Sequence, residues 1–270
     1  MKKKLKVILP FIIVFALAAI ILIAIICKNS AEKRLYSSYY SLNDDFIIEC
    51  ENGSFDKKEN SSEYIKTALQ SNANAIEVDL CFDKSGKPFI EEENEKINDK
   101  TVSLEKLVEF MVSDTSYDRF FLCLHLEKEA SNLAEVDKIC ERYNFTNRIY
   151  YTGISLNQAQ YVRNQSKIPF YLSIDIKDYK SDKDMIKFFS LVSNSMAKGI
   201  ICDIDEMNEN IYNTLHENFI EITFDGIDKK SDFIKAAKYS PSRIKTENPY
   251  EIYDILRKWQ SNAPVEYYGN

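Results

Sequence analysis

The chain has 270 residues, with 35 Lys and Arg against 42 Asp and Glu, for a net charge of -7. An acidic balance argues against nucleic acid as the main partner, because a polyanion is held by lysine and arginine. Two histidines and six cysteines, none in a Cys-x-x-Cys pair, leave almost no material for a paired-histidine acid–base centre or a thiolate metal cluster.

Residues 1–6, "MKKKLK", carry four lysines, and Val7 to Ile26 carry no charge. Twenty apolar residues in a helix reach about 30 Å, the hydrocarbon thickness of a bilayer. The expectation is a cytoplasmic basic segment at 1–6 and a transmembrane anchor at 7–27. The rest of the chain is then extracytoplasmic, on a single-pass protein of the plasma membrane. Lys28, Lys33 and Arg34 on the far side oppose that orientation. A cleaved signal peptide is the alternative, but the apolar run is long and no Ala-x-Ala site follows. Cys27 lacks the small preceding residue expected of a lipidated cysteine, since Ile25 and Ile26 come before it.

Residues 28–44 are polar and read as a linker, 45–262 as one domain, and 263–270 as a tail. Within the domain, apolar strands alternate with amphipathic helices. Strands are expected at "FIIEC", "AIEVDLC", "RFFLCLHL", "RIYYTG", "PFYLSIDI", "GIICDI", "FIEITF" and "SRIKT". Helices are expected between them, at "SSEYIKTALQSN", at "SLEKLVEFM" with Ser103 as cap, from Leu133 to Tyr143, from Ser155, at "KDMIKFFSLVSN", from Glu206 to His216 and at "DFIKAAKY". A last helix, "PYEIYDILRKW", starts on Pro249. Eight such units predict an α/β protein of the (β/α)8 TIM-barrel class, with an open doubly wound sheet as the rival. No Gly-rich phosphate loop follows the first strand and no Gly-x-Ser-x-Gly element is present, which removes the usual dinucleotide and serine-hydrolase readings. The cysteines, mostly in apolar strands, read as small buried hydrophobes, with one disulfide as the alternative.

On this fold catalytic groups sit at the C-terminal ends of the strands. Glu51, Glu77, Asp79, Glu92, His125 and Glu127 all fall at or near such ends. Glu77 and Asp79 share one strand face, as do His125 and Glu127, because side chains alternate with period two. Several carboxylates in one mouth repel unless protons or a cation neutralise them, and a hard ion such as Ca²⁺ or Mg²⁺ is the simplest cation. Glu77 and Asp79 are the firmest candidate ligands, with Glu51, Glu92 and His125 as additions. The bland alternative is a set of solvated acids at strand ends, with His125 a satisfied core residue. His216, at a helix end, reads as a cap or surface residue.

At these residues the chain resembles the glycerophosphodiester phosphodiesterase family, a TIM barrel of the phospholipase-C-like phosphodiesterase type. "ENG" (Glu51 to Gly53) stands at the family's His-Arg-Gly motif, and "ENS" (Glu59 to Ser61) at its Glu-Asn-Thr. "NAIEVD" carries its Glu-x-Asp at Glu77 and Asp79, "DKSGKPFIEEE" its hairpin, with Glu92 at the second histidine, and "TENP" (Thr246 to Pro249) its closing Thr-Asp-x-Pro. The resemblance runs in order from Ile47 to Trp259. It implies a phosphoric diester hydrolase of lipid metabolism, with a metal on Glu77, Asp79 and His125. It puts Glu51 and Glu92 in place of the acid–base histidines, and Asn52, Glu59 and Glu127 elsewhere in the pocket. The family's phosphate-facing Arg and Lys align with Asn52 and Glu127, so the mouth is expected to lack positive charge unless Arg163, Lys167, Lys177 or Lys245 supplies it. Three readings follow. The first is a catalytically degenerate domain that binds a phosphodiester or polyol ligand. The second is a metal-dependent hydrolase using Glu51 and Glu92, on glycerophosphodiester-like substrates or on carbohydrate. In the third the acidic groups have a structural or interaction role.

Overall fold

Apolar runs four to eight residues long, each followed by a capped amphipathic helix, have one economical arrangement: a parallel sheet covered by helices. A computed structural model shows this arrangement and describes residues 17–26, 46–90, 101–126, 132–179 and 182–262. After a helical stretch at 17–26 (α1), the strands are β1 (Ile47–Cys50), β2 (Ala75–Phe82), β3 (Pro88–Ile90), β4 (Phe121–His125), β5 (Ile149–Ile154), β6 (Phe170–Ser173), β7 (Gly199–Asp203), β8 (Glu221–Asp225) and β9 (Arg243–Thr246). The helices are α2 (Ser62–Leu69), α3 (Leu104–Ser113), α4 (Leu133–Arg142), α5 (Leu156–Gln165), α6 (Asp182–Ser195), α7 (Glu209–Glu217), α8 (Lys230–Ala237) and α9 (Pro249–Asn262).

Eight of the strands are parallel neighbours in a ring, and β3 pairs antiparallel with the end of β2 as a hairpin at the rim. The pairing of β1 with β2, Glu49 opposite Ala75 and Cys50 opposite Ile76, closes the ring. That contact decides for the (β/α)8 barrel and against the open sheet. Among the described residues no helix is long and apolar enough to cross a membrane. The remainder of the expected span 7–27, the linker 28–44 and the tail 263–270 lie outside the described residues.

Odd and even strand positions build two different cores. Ile48, Ile76, Val78, Leu122, Leu124 and Phe224 point outward and pack under the helices. The inward set is smaller and mixed: Ile47, Ala75, Cys123, Tyr150, Tyr171 and Ile201 form an apolar layer. Beside it Glu49 and Arg243 are also fully buried. Above that layer, toward the C-terminal ends of the strands, the interior becomes acidic.

The caps follow the sequence. Ser103 Oγ accepts a hydrogen bond from the Lys106 amide at 3.3 Å and starts α3, which buries Leu104, Leu107, Val108 and Met111. Ser103→Ala is expected to lower stability by about 1 kcal/mol in urea denaturation. Three elements differ from expectation. β6 stops at Ser173, because the Asp175 side chain takes the Lys177 amide and turns Ile176–Asp178 into a 3-10 turn. The helix expected from Glu206 begins at Glu209, because Asn208 is the residue that caps it, through the Ile211 amide. β8 begins at Glu221 rather than Phe219, whose φ of 57° places it in the turn after α7. None of Cys50, Cys81, Cys123, Cys140 and Cys202 is in a disulfide. Burial pushes the Cys50 and Cys140 thiols up to about 11 and about 12, so both are unreactive. His216 is exposed, in the last turn of α7.

Candidate functional site

Parallel pairing in register delivers one inward side chain per strand to the same height. Glu77 on β2 lies opposite Cys123 of β4, and Asp79 opposite His125. Thr152 on β5 lies beside His125, and Lys245 on β9 beside Glu49 of β1. Glu51 follows β1, held by its amide on the Thr246 carbonyl at 2.9 Å. Tyr64 of α2 locks the rim, its hydroxyl bonding the carbonyls of Cys50 and Glu77 at 3.1 and 2.9 Å.

The centre of the mouth is an ammonium among carboxylates. Lys245 Nζ is 3.0 Å from Glu77 Oε1, 3.4 Å from Glu51 Oε1 and 3.7 Å from Asp225 Oδ1. The other oxygen of Glu77 accepts the Thr152 hydroxyl at 3.3 Å and lies 3.9 Å from His125 Nδ1. Burial raises Glu77 to about 7, reinforced by Glu49 and opposed by Lys245 and His125. Burial raises Glu51 to about 7 as well, reinforced by Asp225 and Glu77 and opposed by Lys245. Burial works against the charge on Lys245, but Glu77, Asp225, Glu51 and Glu49 outweigh it and raise its pKa.

A second cluster sits next to this one. Asp79 Oδ2 accepts the side-chain amides of Asn52 and Asn60 at 3.0 and 2.8 Å. Asn60 Oδ1 takes the Asp79 amide at 2.7 Å, and Asn52 Oδ1 takes the Asn60 amide at 2.8 Å. Asn60 has a φ of 56°, a left-handed position that asparagine tolerates. On the other side of Glu51 a cavity of about 650 Å³ opens toward β6, β7 and β8, with Asp203, Glu206, Asp225, Asp228 and Glu247 on its walls.

Neither a family model nor a curated protein matches the chain. Solved structures do. A candidate glycerophosphodiester phosphodiesterase from Galdieria sulphuraria superposes with a TM-score of 0.64 at 14% identity, covering 78% of this chain and 98% of that one. The barrel has the glycerophosphodiester phosphodiesterase fold. The enzyme of that name from Agrobacterium tumefaciens gives a TM-score of 0.59 at 15% identity over 76% of this chain and 97% of its own. A phosphodiesterase from Oleispira antarctica, solved with sn-glycerol-3-phosphate, gives 0.57 at 10% over 83% and 99%. Likeness at these identities establishes the architecture; the chemistry rests on the residues of the mouth.

In this glycerophosphodiester phosphodiesterase-like barrel, Glu51, Glu77 and His125 come together, and Asp79 with Asn52 stands one step aside. Glu59 is exposed on the rim, its stem against Gly53. Glu92 and Glu127 lie outside the described residues. Of the four basic candidates for the mouth, Lys245 is the one at its centre. Lys177 pairs with Asp175 and Glu206, while Arg163 and Lys167 are exposed on or after α5. Asp225 and Thr152 are the members that reading the sequence missed, while Asn60 was legible only as part of "ENS". The available signal was the alternation in "RIKT", which puts Arg243 and Lys245 on one face. Among the described residues no group of three or more His, Cys, Asp or Glu side chains is placed to hold a metal ion.

His125 has a tight seat. Gly153 has a φ of 73°, and a Cβ there would lie 2.7 Å from the imidazole Cε1. Gly153→Ala is expected to push His125 off Glu77 and Thr152 and to destabilise the fold by about 1–3 kcal/mol. A changed imidazole resonance in NMR and a lower urea midpoint would show it.

Proposed function

We propose that the chain is a membrane-anchored, extracytoplasmic glycerophosphodiester phosphodiesterase-like domain that binds a phosphodiester or polyol ligand at the barrel mouth and does not turn it over. The carrying observation is the Glu51–Lys245–Glu77 bracket. The group at the first acid–base position is a carboxylate 3.4 Å from the Lys245 ammonium, and that ammonium, already shared with Glu77 and Asp225, fills the centre of the mouth. Carboxylates facing the adjacent cavity, Asp203, Asp225, Asp228 and Glu247 among them, accept hydrogen bonds from polyol hydroxyls. The basic residues 1–6 and the apolar run from Val7 to Ile26 support the anchor and its orientation.

The second reading, hydrolysis of a glycerophosphodiester-like substrate with Glu51 and Glu92 in place of the histidines, is favoured by the position of Glu51 near 7. That value suits an acid–base group at neutral pH. One assay separates the two. The full chain in detergent is given glycerophosphodiesters with Ca²⁺, with Mg²⁺ or with EDTA, and release of glycerol phosphate is followed. No release under any condition, with glycerol phosphate or glycerol raising the melting temperature, is the expected result. Release that disappears in Glu51→Gln would establish the hydrolase instead.

A further inference from the structure

Glu51 after β1, Glu77 on β2 and Asp225 at the end of β8 each bring one carboxylate oxygen within 4 Å of the Lys245 ammonium. A hard divalent ion takes such oxygens at about 2.0–2.6 Å. Here the cation among them is the ammonium of Lys245, at 3.4, 3.0 and 3.7 Å from the three. We propose that Lys245 is the built-in cation of the mouth, tethered by β9 where a divalent ion would bind, so that the wild-type site excludes Ca²⁺ and Mg²⁺.

Three features of the geometry support the exclusion. First, an ammonium and a divalent ion cannot both use Glu77 Oε1, because two cations about 4 Å apart repel strongly in a buried setting. Second, Lys245 has no easy way out. Its side chain is 11% exposed, and leaving would strand the buried Glu77 carboxylate without a cation. Third, two further carboxylate oxygens near the mouth already have partners. Asp79 Oδ2 holds Asn52 and Asn60, and Glu77 Oε2 holds Thr152 with His125 beside it. The residues present therefore do not fit a resident divalent ion while Lys245 is in place. As they stand the three carboxylates are too far apart to hold an ion; with Lys245 removed they would be free to close on one.

This inference rests on the reading of the mouth as the functional site, but the two fail separately. Metal binding without turnover would overturn the built-in cation and leave the binding function standing. Turnover insensitive to EDTA would overturn the binding function and support the built-in cation.

The test uses the full chain in detergent, titrated with Ca²⁺ and Mg²⁺ by calorimetry and by thermal unfolding. Wild type is expected to show no saturable binding that depends on Glu77. Lys245→Ala is expected to melt lower than wild type without metal and to regain several degrees in millimolar Ca²⁺. That gain should vanish in the Lys245→Ala, Glu77→Gln double variant. Saturable Ca²⁺ or Mg²⁺ binding by wild type that is lost in Glu77→Gln overturns the proposal. So does a folded Lys245→Ala that gains nothing from either ion. If Lys245→Ala does not fold, the wild-type titration alone decides, since the proposal allows no Glu77-dependent binding there.

Discussion

Arg243→Met is expected to cost about 3–5 kcal/mol of folding stability, the range for removing one member of a buried charge pair. Arg243 is 2% exposed and Glu49 fully buried, both inside the barrel. The guanidinium carbon lies 3.6 Å from the ring centre of Tyr150 and 4.3 Å from that of Tyr171, so it is stacked as well as charged. Nη2 donates to the Tyr171 hydroxyl at 3.1 Å, and Nη1 is 3.6 Å from Glu49 Oε2, which also accepts the Tyr150 hydroxyl at 2.8 Å. Methionine fills much of the space but leaves the buried Glu49 carboxyl among tyrosines without its cation. The companion variant Glu49→Met, Arg243→Met removes both charges and should recover most of the loss, as apolar replacements of buried pairs often do. Urea denaturation of the two single variants and the double gives the coupling. A loss under about 1 kcal/mol in Arg243→Met would show that this pair is not what holds the interior.

The second large effect is a fall in stability as pH rises from 5 to 8. Glu77 has its carboxyl raised from 4.5 to about 7 by burial. Between those values the folded protein keeps a proton that the unfolded chain has released. Unfolding therefore becomes easier as pH climbs through that window, and the trend levels off above about 7. For Glu77 the change is on the order of 3 kcal/mol. Glu51 pushes the same way with a smaller share, since its side chain is 28% exposed and screened by solvent. Asp83, Asp114 and Asp175 act below this window. Hydrogen bonds from Ser85, Ser116 and Lys177 respectively lower their pKa values, so their contribution disappears only as pH falls below the usual carboxylate range. The optimum should lie near pH 5, and Glu77→Gln should flatten the slope above it. Urea midpoints at pH 5, 6, 7 and 8 check this, and a midpoint that rises with pH would refute it.

Most of the architecture could be read from the chain because it depends on local signals. Apolar runs such as "AIEVDLC" and caps such as Ser103 mark their elements without help from distant residues. Glu51, Glu77 and Asp79 were legible for a related reason: they end strands, and strand ends form the mouth. The half of the site that the sequence could name but not place is non-local. Lys245 lies in a four-residue strand near the end of the domain, where a lysine is ordinarily solvated. Only ring closure turns β9 toward β1 and puts its ammonium against Glu77. Asn60 was legible as part of "ENS", but its grip on Asp79 depends on the left-handed turn it makes before α2. The start of β8 was misread because Phe219 looks like strand and sits in a positive-φ turn.

The closing position of β9 ties the two ends of the domain together: β1 and β2, near its start, carry Glu49 and Glu77. Both cations that face these acids, Arg243 and Lys245, arrive together on the final strand. A chain lacking β9 would leave Glu49 and Glu77 without these two counter-charges and β1 without its partner on that side, so the final strand both neutralises the interior and seals the ring.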